Sequence, residues 1–158
     1  MSALRPRIFR YQVVMLGLIV LSIIAVAVVA LGATDSAWAV VHADKKIDDR
    51  VSIDEDLGVY LVDIGPRTIA FSNHGPWNEE LVVYCASSQL FETPRSGSKF
   101  DIYGRYFYGP APRGLTRYMV RMRGDEVLIN IAEPVPGQPR GRSKGRVLQP
   151  VGQYCIPV

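Results

Sequence analysis

Few side chains in this 158-residue chain have the types and spacing that catalysis requires. His74 stands in Asn73-His74-Gly75-Pro76, a turn composition, and His42 follows shortly after a long apolar run; neither has a nucleophile beside it in a catalytic motif. A hydrolase would need the His74 imidazole within hydrogen-bond reach of Ser87, Ser88 or a carboxylate. Glu79 and Glu80 look like a carboxylate pair, but neighbours on a strand point to opposite faces and do not share a site. Asp54-Glu55-Asp56 fails the calcium-loop spacing, with Gly58 at the fifth position and Val59 at the sixth. No phosphate-binding glycine loop, zinc spacing or haem-attachment motif occurs. No catalytic residue, metal ligand or cofactor is therefore expected, and the chain reads as non-enzymatic.

Recognition chemistry is better represented. Tyr103, Arg105, Tyr106, Tyr108, Arg113 and Arg117 fall in or beside the Gly/Pro-rich stretch from Gly104 to Gly114, which must turn and expose part of itself. Tyrosine and arginine dominate many protein interfaces because each offers a large flat contact with a polar tip. With Arg121 they form the expected interface, although some of the tyrosines could equally be core. Arg140, Arg142, Lys144 and Arg146 follow the Pro-rich Glu133 to Pro139 and read as a mobile solvated loop, with anionic headgroups as the functional alternative. Charge is polarised along the chain: residues 40–94 carry 4 bases against 10 acids, and residues 95–158 carry 11 against 4. Either the halves neutralise each other across strands, or the basic half presents a patch to an anionic partner.

What must position these residues begins with an apolar rod. Val13 to Ala33 is a run of 21 residues with no ionisable side chain and Ser22 as its polar interruption. As a helix it would be roughly 32 Å long, matching a hydrocarbon core of about 30 Å. Arg5, Arg7 and Arg10 precede it, whereas acids dominate the residues that follow, so the positive-inside rule puts the N-terminus in the cytoplasm and the rest outside. Phe9 and Tyr11 at one end and Trp38 at the other are placed as interfacial anchors. Ala37-Trp38-Ala39 has the form of a signal-peptidase site, but the apolar run exceeds the roughly 7 to 15 residues of an export signal, which favours a retained anchor. The small residues of the run are never four apart, so a GxxxG-type self-dimer is not indicated. That topology also argues against the single-stranded nucleic acid that interleaved aromatic and basic residues would otherwise suggest.

Beyond the rod, the composition (48% hydrophobic, 21% charged, net charge +3) suits one small folded unit. The expected order is a cytoplasmic tail over 1–12, the transmembrane helix over 13–33, an acidic juxtamembrane linker over 34–56 and a β-rich extracytoplasmic domain over 57–158. Period-two alternation broken by Gly and Pro predicts a small antiparallel sandwich or barrel-like domain. One hairpin joins Arg117–Arg123 to Glu126–Ala132 through Gly124-Asp125, with Arg123 facing Glu126, Met122 facing Val127, Val120 facing Ile129 and Tyr118 facing Ile131. Its other face, with Arg117, Arg121, Arg123, Glu126 and Asn130, is expected to be solvated. A second hairpin pairs Val62 with Ile69 and Tyr60 with Phe71 around Gly65-Pro66. Further strands are expected over 80–86, 100–108 and 146–156. Cys85 and Cys155, an even pair in an oxidising compartment, are expected to form a disulfide.

The functional expectation is a single-pass membrane protein whose exported β domain docks on and stabilises a larger integral membrane complex. The alternative is a secreted or anchored binding protein, of inhibitor or immunity type, acting on a soluble ligand.

Overall fold

The computed structural model describes residues 14–22, 37–143 and 145–157 and divides the chain into two compact units, Met1–Ala37 and Trp38–Val158. In the first unit, 14–22 form a short helix in which the Ser22 hydroxyl donates to the Ile19 carbonyl (2.8 Å). Among the described residues no helix is long and apolar enough to cross a membrane. Residues 13 and 23–33 of the expected span lie outside the described residues, as do the expected anchors Phe9 and Tyr11.

The second unit is mainly β, with three antiparallel sheets. Its strands are β1 (Trp38–Val41), β2 (Lys45–Lys46), β3 (Val51–Asp54), β4 (Val59–Ile64), β5 (Arg67–Ser72), β6 (Val83–Cys85), β7 (Leu90–Glu92), β8 (Lys99–Phe100), β9 (Tyr106–Tyr108), β10 (Arg117–Tyr118), β11 (Val120–Arg123) and β12 (Glu126–Asn130). The sheets run β1-β12-β11, β10-β5-β4-β3-β2 and β6-β7-β8-β9. Along β4, successive side chains point to opposite faces, yet Val59, Tyr60, Leu61 and Val62 are all buried. Tyr60 and Val62 join Phe71, Tyr84, Phe91 and Phe100 in one core, while Val59 and Leu61 join Val41, Ala70 and Ile129 in another. The five-stranded sheet is thus the middle of three layers, with a core on each face. A continuous apolar strand in an antiparallel sheet is what such double coverage demands.

Both hairpins form with the expected register over most of their length. Val62 faces Ile69 and Tyr60 faces Phe71 around Gly65, whose φ of 59° suits the first position of a type II′ turn. Arg123 faces Glu126, Met122 faces Val127 and Val120 faces Ile129. The base of that hairpin differs from expectation, because Tyr118 does not face Ile131. The ladder ends where Asn130 N–H donates to the Met119 carbonyl (3.0 Å), and Arg117 and Tyr118 cross to the middle sheet to face Phe71 and Ala70. On the face expected to be solvated, Arg121, Arg123 and Glu126 are exposed, whereas Arg117 is half-buried and Asn130 is buried. Leu128 is buried between Val40 and Arg121 in register, and the Arg121 guanidinium lies 4.4 Å from the Trp38 ring centroid.

Three other expectations need correction. The stretch 34–56 is not simply a linker, since it contributes β1 to β3 and the fully buried Val51. Its acids suggest a solvated connection, but Asp48 accepts the N–H groups of Arg50 and Val51, and the buried Asp54 accepts those of Leu57 and His42. Residues 100–108 are not one strand, because a turn at 101–105 separates β8 from β9. Residues 146–156 form no strand among those described. Their backbone hydrogen-bonds to loops and side chains, with Leu148 N–H on Asp101, Val151 N–H on the Ser88 carbonyl and Ile156 N–H on Glu92.

The Cys85–Cys155 disulfide is formed and ties this last segment to β6. Beside it lies a fully buried ion pair: Lys99 and Glu92 face each other across β8 and β7, with Nζ 3.4 Å from Oε2. The Ser88 hydroxyl (2.7 Å) and the Ile156 N–H (2.8 Å) donate to Glu92, and Lys99 donates to the Ile156 carbonyl (2.8 Å) beneath the Tyr154 ring. Two charges are kept from water here because each finds a partner on the incoming segment.

Candidate functional site: an arginine cleft

Three chain segments meet where glycine alone fits. A Cβ on Gly104 would stand 2.4 Å from Phe71 Cε1, one on Gly114 would stand 2.4 Å from the Gly104 carbonyl oxygen, and one on Gly137 would stand 2.4 Å from the Gly114 carbonyl. The backbones stack as a result: Leu115 N–H donates to the Gly104 carbonyl (2.8 Å) and Gly114 N–H to the Gln138 carbonyl (2.9 Å). Arg117 extends the contact by exchanging both backbone hydrogen bonds with Val135 (2.8 Å each). A cavity of about 290 Å³ opens at this junction, lined by Gly104, Arg105 and Arg117 together with Val135, Pro136, Gly137 and Gln138.

The turn at 101–105 aims Arg105 into the cleft. The buried Asp101 accepts the N–H groups of Tyr103 (3.0 Å) and Arg105 (2.9 Å) on Oδ1, while Gly104, at a φ of 69°, donates to the Asp101 carbonyl. Oδ2 receives Arg105 Nε (2.8 Å) and Nη2 (2.7 Å) and the Leu148 N–H (3.1 Å). Asp101 is therefore satisfied on both oxygens and neutralises Arg105. Arg117 donates from Nη2 to the Tyr103 carbonyl and lies over the Phe71 ring, 5.4 Å from its centroid. Burial pulls the Arg117 pKa below its ordinary value; the Asp101 carboxylate opposes that and the neighbouring Arg105 guanidinium adds to it.

Of the residues expected at an interface, Tyr103, Arg105 and Arg117 converge here, with Arg105 4.7 Å from the Tyr103 ring centroid. Arg113 reaches Thr116 Oγ1 (3.3 Å) and pairs in backbone with Pro139. Tyr106 is stacked by Arg140 (4.9 Å), which also reaches the Gly109 carbonyl. Tyr108 is exposed on β9. Arg121 is not part of the cleft, because it lies in the first sheet over Trp38. Of the basic loop, Arg140, Arg142 and Arg146 are exposed and Lys144 lies outside the described residues. Sequence reasoning missed Val135 to Gln138, read as a Pro-rich lead-in; the glycines at 104, 114 and 137 are the trace they left in the sequence.

The hydrolase geometry is not assembled. His74 is exposed on its turn, Ser87 donates to the Gln153 carbonyl and Ser88 to Glu92. Glu80 accepts the N–H groups of Arg95 and Ser96, bracing the 94–97 loop. Among the described residues no group of three or more His, Cys, Asp or Glu side chains is placed to hold a metal. No protein-family model matches the chain, and no curated protein matches it either.

Proposed function

We propose that this is a membrane-tethered, non-enzymatic docking protein: an N-terminal helix over 13–33 anchors it with its N-terminus in the cytoplasm, and the β-rich domain holds an acidic surface of a larger membrane complex outside. The observation that carries this reading is the convergence on one cleft of Arg105, from the turn at 101–105, and Arg117, from β10, with Tyr103 in contact with both guanidinium groups. Such a surface has the composition of interface hot spots, in which flat cationic and aromatic side chains are held rigidly before binding. Charge supports it too. Among the described residues Lys45–Glu55, Arg105–Asp101 and Arg123–Glu126 pair within their own halves of the sequence and Lys99–Glu92 pairs across them, and with 11 bases against 4 acids the basic half still retains a positive excess. The disulfide favours an oxidising compartment, in accord with export. The Ser22 hydroxyl, satisfied by the Ile19 carbonyl, is compatible with a lipid environment, where an unsatisfied hydroxyl would be costly.

The test is co-purification of the full chain from native membranes in mild detergent, comparing the natural protein with Arg113→Glu/Arg140→Glu. Arg140 is exposed and Arg113 half-buried, so reversal there spares the Asp101–Arg105 pair. Release from a co-migrating complex is the expected result. A lone 17.5 kDa species in both samples would sink the reading and favour a binding protein for a soluble ligand.

A further inference from the structure

Resting on the docking role above, we infer that the cleft beside Arg117 receives one carboxylate, carried on an Asp or Glu side chain of the docked partner. Arg105 and Asp101 cancel, leaving Arg117 as the net charge of the site. Among the described residues its one side-chain hydrogen bond runs from Nη2 to the Tyr103 carbonyl, a neutral acceptor, so no described carboxylate is hydrogen-bonded to this half-buried guanidinium. A guanidinium fork matches a carboxylate edge with two parallel charge-assisted hydrogen bonds. Val135 and Pro136 give the cleft an apolar wall suited to the methylene stem of an acidic side chain.

Charge balance selects the anion. A carboxylate neutralises the net single positive charge, whereas a phosphate group near two negative charges would bring excess charge close to the buried Asp101. The glycine junction fixes the position of Arg117 before any ligand arrives, because its strand is pinned to both Phe71 and Val135.

The experiment uses the full chain in detergent micelles with ¹⁵N-labelled arginine. The Arg117 Nε resonance is followed during titration with a blocked tripeptide bearing one central Glu, with its Gln counterpart, with propionate, with inorganic phosphate and with anionic lipid vesicles, at matched ionic strength. A saturable shift with the Glu peptide, absent with the Gln peptide, is expected. Arg117→Lys, which keeps the charge and loses the fork, should weaken binding roughly tenfold or more. Propionate binding as tightly as the peptide would overturn a protein-borne carboxylate in favour of a free acid. Phosphate or vesicles moving Arg117 at lower concentration than the peptide would overturn the carboxylate. If Arg113→Glu/Arg140→Glu releases the partner while the Glu peptide leaves Arg117 unmoved, this site falls and docking stands. If the peptide binds but charge reversal leaves co-purification unchanged, the docked partner is not the carboxylate's source.

Discussion

Replacing Lys99 by Met would strand the Glu92 carboxylate inside the protein. Both side chains are fully buried, so neither charge has water to fall back on. In Lys99→Met the carboxylate keeps two neutral donors, the Ser88 hydroxyl and the Ile156 N–H, but loses its counter-ion, a change that costs about 3 to 5 kcal/mol. Glu92→Gln keeps an acceptor oxygen yet leaves the ammonium with the Ile156 carbonyl and the Tyr154 ring alone, a loss of similar size. The double variant carries no buried charge, and its main deficit is the lost bond to Ile156, about 1 to 2 kcal/mol. It should therefore be more stable than either single variant, with a coupling of at least about 4 kcal/mol. Urea unfolding of the full chain in detergent, followed by the fluorescence of Trp38 and Trp77, measures all four corners of the cycle. A double variant that loses the sum of the two singles would refute the reasoning, because the two charges would then act independently.

Removing the disulfide through Cys85→Ala/Cys155→Ala frees a loop closed over a separation of 70 residues and should cost about 4 kcal/mol in the same urea assay. A loss under about 1 kcal/mol would mean that other contacts already confine the segment. Gly104→Ala places a methyl against Phe71 at a left-handed φ and should cost about 2 to 4 kcal/mol while disordering the cleft; an unchanged urea midpoint counts against the stacked-backbone account. At alkaline pH, burial holds the Tyr84 and Tyr60 hydroxyls above the ordinary tyrosine value of 10.0, and the Asp48 carboxylate adds to the shift at Tyr84. The folded state then keeps protons that the unfolded state gives up, so this stabilisation is complete below pH 10 and is lost as pH rises beyond it. Absorbance at the tyrosinate band should show these two tyrosines ionising only with unfolding, and early ionisation of the full set would contradict their burial.

The hairpins were legible because side-chain period and turn chemistry agree: a slip of one residue would turn Val120, Met122, Val127 and Ile129 to the wrong face. The cysteine pairing was legible from count alone. Tyr118 was misplaced because local alternation is blind to a competing strand: it continues the pattern toward Ile131, yet Ala70 and Phe71 in the middle sheet needed covering. The break at 101–105 was hidden because Tyr103 and Arg105 keep the alternation while Asp101 and Gly104 make a turn beneath it. Along β4, Val59 to Val62 are apolar on both faces because a core lies on each side of the middle sheet. In the cleft, Arg105 and Arg117 were legible by composition as interface residues, but their meeting with Val135 to Gln138 depends on long-range backbone stacking that no local pattern encodes.

Residues 154–156 complete the surroundings of Glu92 and Lys99 from far along the chain. The two charged residues are made well before the segment that seals them. With the Cys85–Cys155 disulfide reduced, a backbone clip ahead of Tyr154 would take from Glu92 the Ile156 N–H and from Lys99 the Ile156 carbonyl and the Tyr154 ring, so the integrity of this distant segment decides whether the interior of the third sheet stays dry.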